Sequence, residues 1–146
     1  MTATDSPSVF LGLDYGLRRI GLAVGDTSQY LAFAQGTHVE GKDGSIFKFL
    51  GEIIQSRNIT SLVMGLPLKT DGNDGEITIK VRRFAKRLEE EFSLPVILWD
   101  ERYSSQEADR WLKDKRRSTK EDRDALAAEI ILQSYLDSLD SRELSE

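Results

Sequence analysis

The chain has 146 residues, of which 39% are hydrophobic and 31% are charged, and its net charge is −5. This length and composition indicate a single globular domain that can bury a core. The chain has no cysteine and one histidine, which excludes disulfides, thiolate metal sites, a cysteine nucleophile and a histidine-rich zinc site. No apolar run approaches the roughly 18–20 residues of a membrane span, and the N-terminus lacks a signal-peptide pattern, so we expect a cytoplasmic protein without a membrane partner.

Three strands are predicted first along the chain. Apolar runs at residues 9–14 and 20–24 indicate two strands joined by a short turn at residues 16–19. Residues 30–40 supply a third strand, which Gly36 weakens. We expect the polar residues 1–8 to be disordered. Three consecutive strands of this kind form an antiparallel meander.

Helices and strands alternate in the rest of the chain, and strands separated by helices favour parallel pairing. The sequence therefore predicts an α/β fold with a central mixed five-stranded sheet, an antiparallel β-meander plus parallel strands, flanked by helices. The remaining predicted elements are a helix at 45–56, a strand at 61–64, a flexible loop at 69–75, a helix capped by Asn73 or Asp74 and ending near Phe92, a strand at 96–99, a short helix at 104–112, a basic loop at 113–120, a last helix at about 124–139 and a disordered tail at 140–146.

Acidic residues stand where three of these elements begin or end. Asp14 ends the first strand, Asp100 and Glu101 follow the last strand, and Asp124 opens the final helix. Strand ends that are neighbours in a sheet can converge, and clustered carboxylates need protonation or a cation. Oxygen ligands without histidine or cysteine favour Mg²⁺ or Mn²⁺. Each acid also has a purely structural interpretation, as a turn former or, for Asp124, as an N-cap.

Basic residues cluster in two segments, although a net charge of −5 gives no general attraction to nucleic acid. Five of them fall within residues 80–87 and seven within residues 110–123. These segments are either ordinary solvated surfaces or a phosphate-contacting rim around the acidic centre. The candidate nucleic-acid contacts are Arg18, Arg19, Lys69, Arg82, Arg83, Arg102, Lys115, Arg116 and Arg117.

Other candidates for chemistry are weak. The lone histidine, His38, argues against a serine–histidine triad, and we expect it at the surface near a strand end. Trp99 and Trp111 could stack on bases, but tryptophan at such positions more often packs in or beside the core. The sequence has no phosphate-binding glycine motif of the GxxxxGK[ST] or GxGxxG type.

Four segments in this order resemble the YqgF/RuvX family: LGLDYGLRRIGLAVGD, VMGLPLKTDGNDG, PVILWDERYSSQEA and DRDALAAEIILQSYL. The resemblance runs from about Val9 to Leu136. The family comprises bacterial RNase H-like proteins regarded as pre-16S rRNA nucleases and as relatives of the Holliday-junction resolvase RuvC. It implies an RNase H-like fold and a two-metal active site containing Mg²⁺ or Mn²⁺, in which paired ions activate water and stabilise the leaving oxygen.

The resemblance also assigns roles to the acids. Asp14, Glu101 and Asp124 match the family's three acidic motifs and are the expected catalytic residues. These three, together with Asp100, are the expected metal ligands, and Glu101 is favoured over Asp100. Because the segment before Asp124 lacks the glycine-rich turn common in relatives, Asp122 is an alternative third acid.

Two further residues matter beside the acids. Arg102 would pair with a phosphate or a carboxylate. Leu17 stands where relatives often carry a small polar residue after the DYG motif.

The sequence and the resemblance together predict a metal-dependent nuclease that acts on pre-16S rRNA or a ribosomal particle, as a monomer or weak homodimer. One alternative is a Holliday-junction resolvase that cuts branched DNA as a dimer. Another is a non-catalytic RNA-binding factor for ribosome assembly or transcription, with which the acidic net charge agrees. Sugar-kinase and actin-like ATPases also open with an acid beside glycine, but they need two such domains, more than this chain supplies.

Overall fold

The computed structural model describes residues 6–68, 74–103 and 120–145, and the side chains of all of these except 120–122 and 142–145. The strands, in chain order, are β1 (Val9–Tyr15), β2 (Arg19–Asp26), β3 (Leu31–Val39), β4 (Ser61–Leu66) and β5 (Val96–Asp100). The helices are α1 (Ile46–Ser56), α2 (Glu76–Phe92) and α3 (Lys120–Ser145), and a 3₁₀ turn (Glu101–Tyr103) follows β5.

The five strands form one mixed sheet in the order β3-β2-β1-β4-β5. Strands β1, β2 and β3 form an antiparallel meander, whereas β1, β4 and β5 run parallel. The predicted mixed five-stranded sheet is therefore confirmed. Strand β1 has neighbours on both sides, so its C-terminal end lies in the middle of the sheet.

Both faces of the sheet are covered, which explains why β1 reads as a continuous apolar run. Successive side chains of β1 point to opposite faces. Leu11 and Leu13 belong to a core shared with α1 and α2, whereas Phe10 belongs to a second core shared with α3. Each fully buried leucine in these cores contributes roughly 1.5–3 kcal/mol to folding.

Helix α3 crosses the sheet closely because glycines lie beneath it. A Cβ atom placed on Gly12 would stand 2.8 Å from Cβ of Leu132, and one placed on Gly21 would overlap the backbone carbonyl of Asp124. Only residues without a side chain permit this approach. The first turns of α3 are thus seated directly on β2.

Several predicted boundaries are wrong by a few residues. The N-cap of α2 is Gly75 rather than Asn73 or Asp74, because the Thr78 hydroxyl accepts from the Gly75 N–H while donating to Pro67. Helix α3 begins four residues before Asp124, since lysine, glutamate and arginine extend helices readily. It also continues to Ser145, so residues 140–145 are helical rather than disordered.

The prediction that His38 lies at the surface is wrong. The residue is 1% exposed, its Nε2 atom lies 3.1 Å from the Gly44 carbonyl, and its ring packs 5.1 Å from that of Phe49. Gly41 and Gly44 have positive φ angles of 81° and 83°, which let the chain fold back over the end of β3. The segment from Gly41 to Gly44 therefore covers the imidazole of His38.

Trp99 has a packing role, as expected. Its Nε1 atom donates to the Ser134 hydroxyl at 3.0 Å, and its ring packs edge-on against Tyr135 of α3. The predicted helix at 104–112, which includes Trp111, lies outside the described residues. So do residues 113–119 of the predicted basic loop at 113–120, whose last residue, Lys120, is the first of α3. In the part of the chain that the structure describes, no helix is long and apolar enough to cross a membrane.

Candidate active site

Asp14 lies between two glycines on the neighbouring strands. It pairs with Gly21 of β2. On the other side, Leu13 pairs with Met64 of β4, which places Gly65 next to Asp14. Since neither neighbour has a side chain, groups from other elements can approach the Asp14 carboxylate from both sides.

Asp124 approaches from the β2 side. Its backbone carbonyl rests on Gly21, the residue that pairs with Asp14. The acid therefore lies in α3 just after its first turn, directly above the sheet position next to Asp14. The close seating of α3 on glycine, rather than an N-cap role, fixes Asp124 there.

Glu101 approaches from the β4 side. A Cβ atom on Gly65 would stand 2.5 Å from Oε1 of Glu101 and 2.9 Å from its Cγ. The carboxylate therefore occupies the space that a side chain on β4 would otherwise fill. The 3₁₀ turn after β5 directs Glu101 back over the sheet, although β4 separates β5 from β1.

Burial and neighbouring acids raise the pKa values of Asp14 and Glu101. Burial, and then the charges of Glu101 and Asp124, raise the pKa of Asp14 from 3.8 to about 7. Burial, and then the charge of Asp100, raise the pKa of Glu101. A carboxylate that is buried beside other acids is costly to ionise unless a cation compensates it. Shifts of this kind are typical of functional sites.

Asp100 has a different environment from the neighbouring Glu101. Its two carboxylate oxygens accept hydrogen bonds from the Arg102 guanidinium at 2.7–3.1 Å. These bonds lower the pKa of Asp100. The arginine of the DER segment is thus a carboxylate partner, and the structure turns Glu101, rather than Asp100, toward Asp14.

Arg19, a candidate nucleic-acid contact, lies in the acid site. Its Nε atom donates to Oδ2 of Asp124 at 2.7 Å. Together with Asp14 and Arg18, these two residues line an open cleft of about 300 Å³. The side chain of Asp122, the alternative third acid, lies outside the described residues.

The donor atoms at this site fit a hard divalent cation. Asp14, Glu101 and Asp124 supply carboxylate oxygens, which Mg²⁺ and Mn²⁺ prefer. All the causes that shift the pKa of Asp14 act against its ionised form, and either a proton or a bound cation would offset this cost. Within the described residues, the side chains do not form a closed group of three metal ligands. In this arrangement Asp124 is turned toward Arg19.

Two other candidate nucleic-acid contacts, Arg82 and Arg83, lie on the exposed side of α2. Arg82 forms a two-bond ion pair with Asp74 at 2.8 and 3.1 Å, whereas Arg83 is exposed on α2. Lys69, Lys115, Arg116 and Arg117 lie outside the described residues.

The part that Gly21 and Gly65 play in forming the site is not predicted from the sequence. Both stand inside apolar strand segments, where a glycine often marks a close approach of another group. That signal was available in the sequence, but it does not identify which group approaches.

Comparison with known proteins gives a consistent result. The family model RuvX, described as Holliday junction resolvase, matches residues 8–138. A protein of Koribacter versatilis named "Putative pre-16S rRNA nuclease" is 42% identical over 130 residues, covering 87% of this chain and 85% of that protein. A Geobacillus protein of the same name is 43% identical over 135 residues, covering 88% and 96%.

Solved structures show the same fold. Thermus thermophilus RuvC in complex with a Holliday junction substrate has a TM-score of 0.57 at 14% identity and covers 90% of this chain and 96% of its own. The fowlpox virus Holliday junction resolvase has a TM-score of 0.52 at 14% identity, covering 90% and 99%. These likenesses confirm the predicted RNase H-like fold.

Proposed function

The chain belongs to the RuvX family of nucleases, and we propose that it is a metal-dependent endonuclease. Its proposed reaction is processing of the 5′ end of pre-16S rRNA in the bacterial cytoplasm. Two kinds of support combine here. The relatives that match most of the chain carry pre-16S rRNA nuclease in their names. The acids occupy one place in a fold shared with nucleases that cut phosphodiester bonds.

One observation supports the chemistry most strongly. Acids from three distant segments, Asp14, Glu101 and Asp124, lie at one end of the central strand, each of the last two above a glycine that flanks the first. A purely structural role would not require two strands to give up their side chains for neighbouring carboxylates. Burial, and then the charges of Glu101 and Asp124, raise the pKa of Asp14, which supports a shared site.

The three acids would hold Mg²⁺ or Mn²⁺, and a two-ion site is the form we favour. When bound, such ions activate a water molecule for attack on phosphorus and stabilise the leaving 3′ oxygen. The buried strand β1 keeps Asp14 fixed, so its carboxylate needs no reorganisation on binding. Arg102 pairs with Asp100 and partly compensates its charge, which still raises the pKa of Glu101.

Arg19 has two roles in this proposal. While it donates to Asp124, it compensates the charge of that carboxylate. When Asp124 turns to a cation, the guanidinium is released beside the cleft, where it can contact a phosphate of the substrate. The neighbouring Arg18 is exposed and lines the same cleft, which makes it a second phosphate contact.

The test is cleavage of a precursor 16S transcript with added Mn²⁺ or Mg²⁺. We expect cleavage by the parent protein and at least a thousandfold loss for Asp14→Asn, as a rough figure for removing a ligand of the reacting centre. Asp26→Asn is the matched control, because Asp26 lies at the other end of the β1–β2 pair. Equal cleavage by the parent protein and Asp14→Asn would refute the site.

A Holliday-junction resolvase is the second candidate. The likeness to RuvC bound to a Holliday junction and the description of the family model favour it. Resolvases cut two strands symmetrically and therefore act as dimers. Faster cleavage of four-way DNA junctions than of precursor RNA, together with a dimeric mass in solution, would support this function instead.

A further inference from the structure

A second cavity, of about 450 Å³, lies on the opposite face of the sheet from the acids. Its walls come from the β1–β2 turn, the segment after β3, the start of α1 and one side of α2. Tyr15 lines it and directly follows Asp14 in β1, so the two side chains point to opposite faces. The cavity and the acid cleft are therefore back to back, and they share the turn residues Gly16, Leu17 and Arg18.

Arg87 and Phe47 form one wall of the cavity, called here the Arg87–Phe47 platform. The guanidinium carbon of Arg87 lies 4.6 Å above the centroid of the Phe47 ring. The Phe47 ring in turn packs 5.8 Å from that of Phe84, which belongs to the core. Unpaired bases stack on aromatic rings and on guanidinium planes, and this stacking tolerates any base.

The charge of the cavity suits one phosphodiester group. Two guanidinium groups, Arg18 and Arg87, and one carboxylate, Glu40, line it, which leaves one excess positive charge. Within the described residues, neither arginine forms an ion pair. The Glu40 N–H donates to the Arg18 carbonyl at 2.8 Å, so the backbone of Arg18 is held while its side chain is exposed.

The ridge between the two cavities is apolar. Leu17 stands at the tip of the β1–β2 turn, is 62% exposed and lines both cavities. An exposed leucine beside a cleavage site offers a surface for the face of a base, and apolar side chains are used to unstack neighbouring bases. A strand that crosses this ridge would pass from the acids to the platform.

We propose that the second cavity binds one nucleotide of an unpaired RNA strand, whose base stacks on the Arg87–Phe47 platform and whose phosphate contacts Arg18. This inference rests on the proposed nuclease function, because it places the nucleotide next to the bond that the acids would cleave. It adds a substrate requirement: the RNA must be single-stranded on one side of the cleavage position.

The test measures binding without cleavage. A fluorescent oligouridylate is titrated with the full chain in the presence of a chelator, at several salt concentrations. Phe47→Leu removes the ring but keeps an apolar side chain, and Phe10→Leu is its control, because Phe10 is buried in the other core and does not line the cavity. Arg18→Gln removes a phosphate contact, and Arg57→Gln makes the same charge change beyond the far end of α1.

The two kinds of variant have different expected signatures. Phe47→Leu weakens binding by about 5- to 150-fold without changing the salt dependence, because stacking is not ionic. Arg18→Gln reduces the slope of log affinity against log salt by about 0.7, the value for one phosphate on a single strand. Phe10→Leu and Arg57→Gln bind like the parent protein.

If Phe47→Leu does not fold, Arg87→Gln tests the same platform, since Arg87 is exposed on α2. Equal affinities for the platform variants and their controls would overturn the inference. Binding of free uridine monophosphate as tightly as the oligouridylate would also overturn it, because the cavity would then serve a free nucleotide rather than a strand.

Failure of this inference can be told apart from failure of the nuclease proposal. If Asp14→Asn loses cleavage but Phe47→Leu binds RNA normally, the nuclease proposal holds and the proposed nucleotide site in the second cavity is wrong. If RNA binding depends on the platform but no metal-stimulated cleavage occurs, the nucleotide site is supported and the nuclease proposal is wrong.

Discussion

Replacing Asp14 with asparagine should stabilise the protein in the absence of metal. The pKa of Asp14 is raised in the folded chain from 3.8 to about 7. The unfolded chain therefore ionises first as the pH rises, and the folded state loses stability between these two values. A shift of this size corresponds to about 4 kcal/mol once the pH exceeds the folded pKa. Asparagine cannot ionise, so Asp14→Asn escapes this loss.

The assay is urea unfolding of both proteins in a chelator at about pH 4 and about pH 8, with the change between the two pH values compared. We expect Asp14→Asn to gain up to about 4 kcal/mol relative to the parent on going to the higher pH. Asp26→Asn is the control, because hydrogen bonds from Ser28 lower the pKa of Asp26, so its stabilising contribution is lost only as the pH falls below the unfolded value of 3.8. The stability difference between that variant and the parent should therefore be nearly the same at the two pH values.

Added Mn²⁺ should reverse the stability difference between Asp14→Asn and the parent protein. The parent protein gains stability from an ion that binds only the folded chain, whereas Asp14→Asn lacks one ligand and gains little. If stability depends on pH in the same way for the parent and Asp14→Asn in the chelator, the reasoning is refuted, because burial and neighbouring acids would then not raise the pKa of Asp14.

Two further predictions concern the residues around the acids. Gly65→Ala should abolish cleavage, because the new Cβ would displace the Glu101 side chain; it would also stand 2.7 Å from Cδ1 of the buried Ile131, so urea unfolding of the variant is measured alongside. Gly51→Ala, inside α1, should leave cleavage unchanged and is the control, and equal activity of both variants would contradict the position of Glu101 over Gly65. Arg19→Gln should raise the affinity for Mn²⁺, measured by titration calorimetry, because it releases Asp124; a weaker affinity would show that Arg19 supports the ligand instead.

The sheet was predictable because the hydrophobic pattern within each strand indicates a strand without knowledge of the other elements. Runs such as that at β1 are apolar on both faces, and helix-length spacing between later strands indicates parallel pairing. The limits of α2 and α3 were less predictable. Thr78 and Asp74 have partners at Pro67 and Arg82, which are distant enough that local capping patterns do not reveal them.

The acids could be proposed from the sequence, but their arrangement could not. Strand ends suggested that Asp14 and Glu101 converge, yet two glycines on separate strands create the space in which they meet. Likewise, nothing in the DER segment indicates that Arg102 binds Asp100 and leaves Glu101 turned toward Asp14. Such choices depend on contacts between elements rather than on local spacing.

Binding of Mn²⁺ to the parent protein, Asp14→Asn and Asp100→Asn, measured by titration calorimetry at about pH 8, tests the central claim most directly. The parent and Asp100→Asn should bind with affinities within a few-fold of one another, because Arg102 already occupies Asp100, and Asp14→Asn should lose binding. Unchanged binding by Asp14→Asn would contradict the claim that the acids at the end of β1 hold the metal.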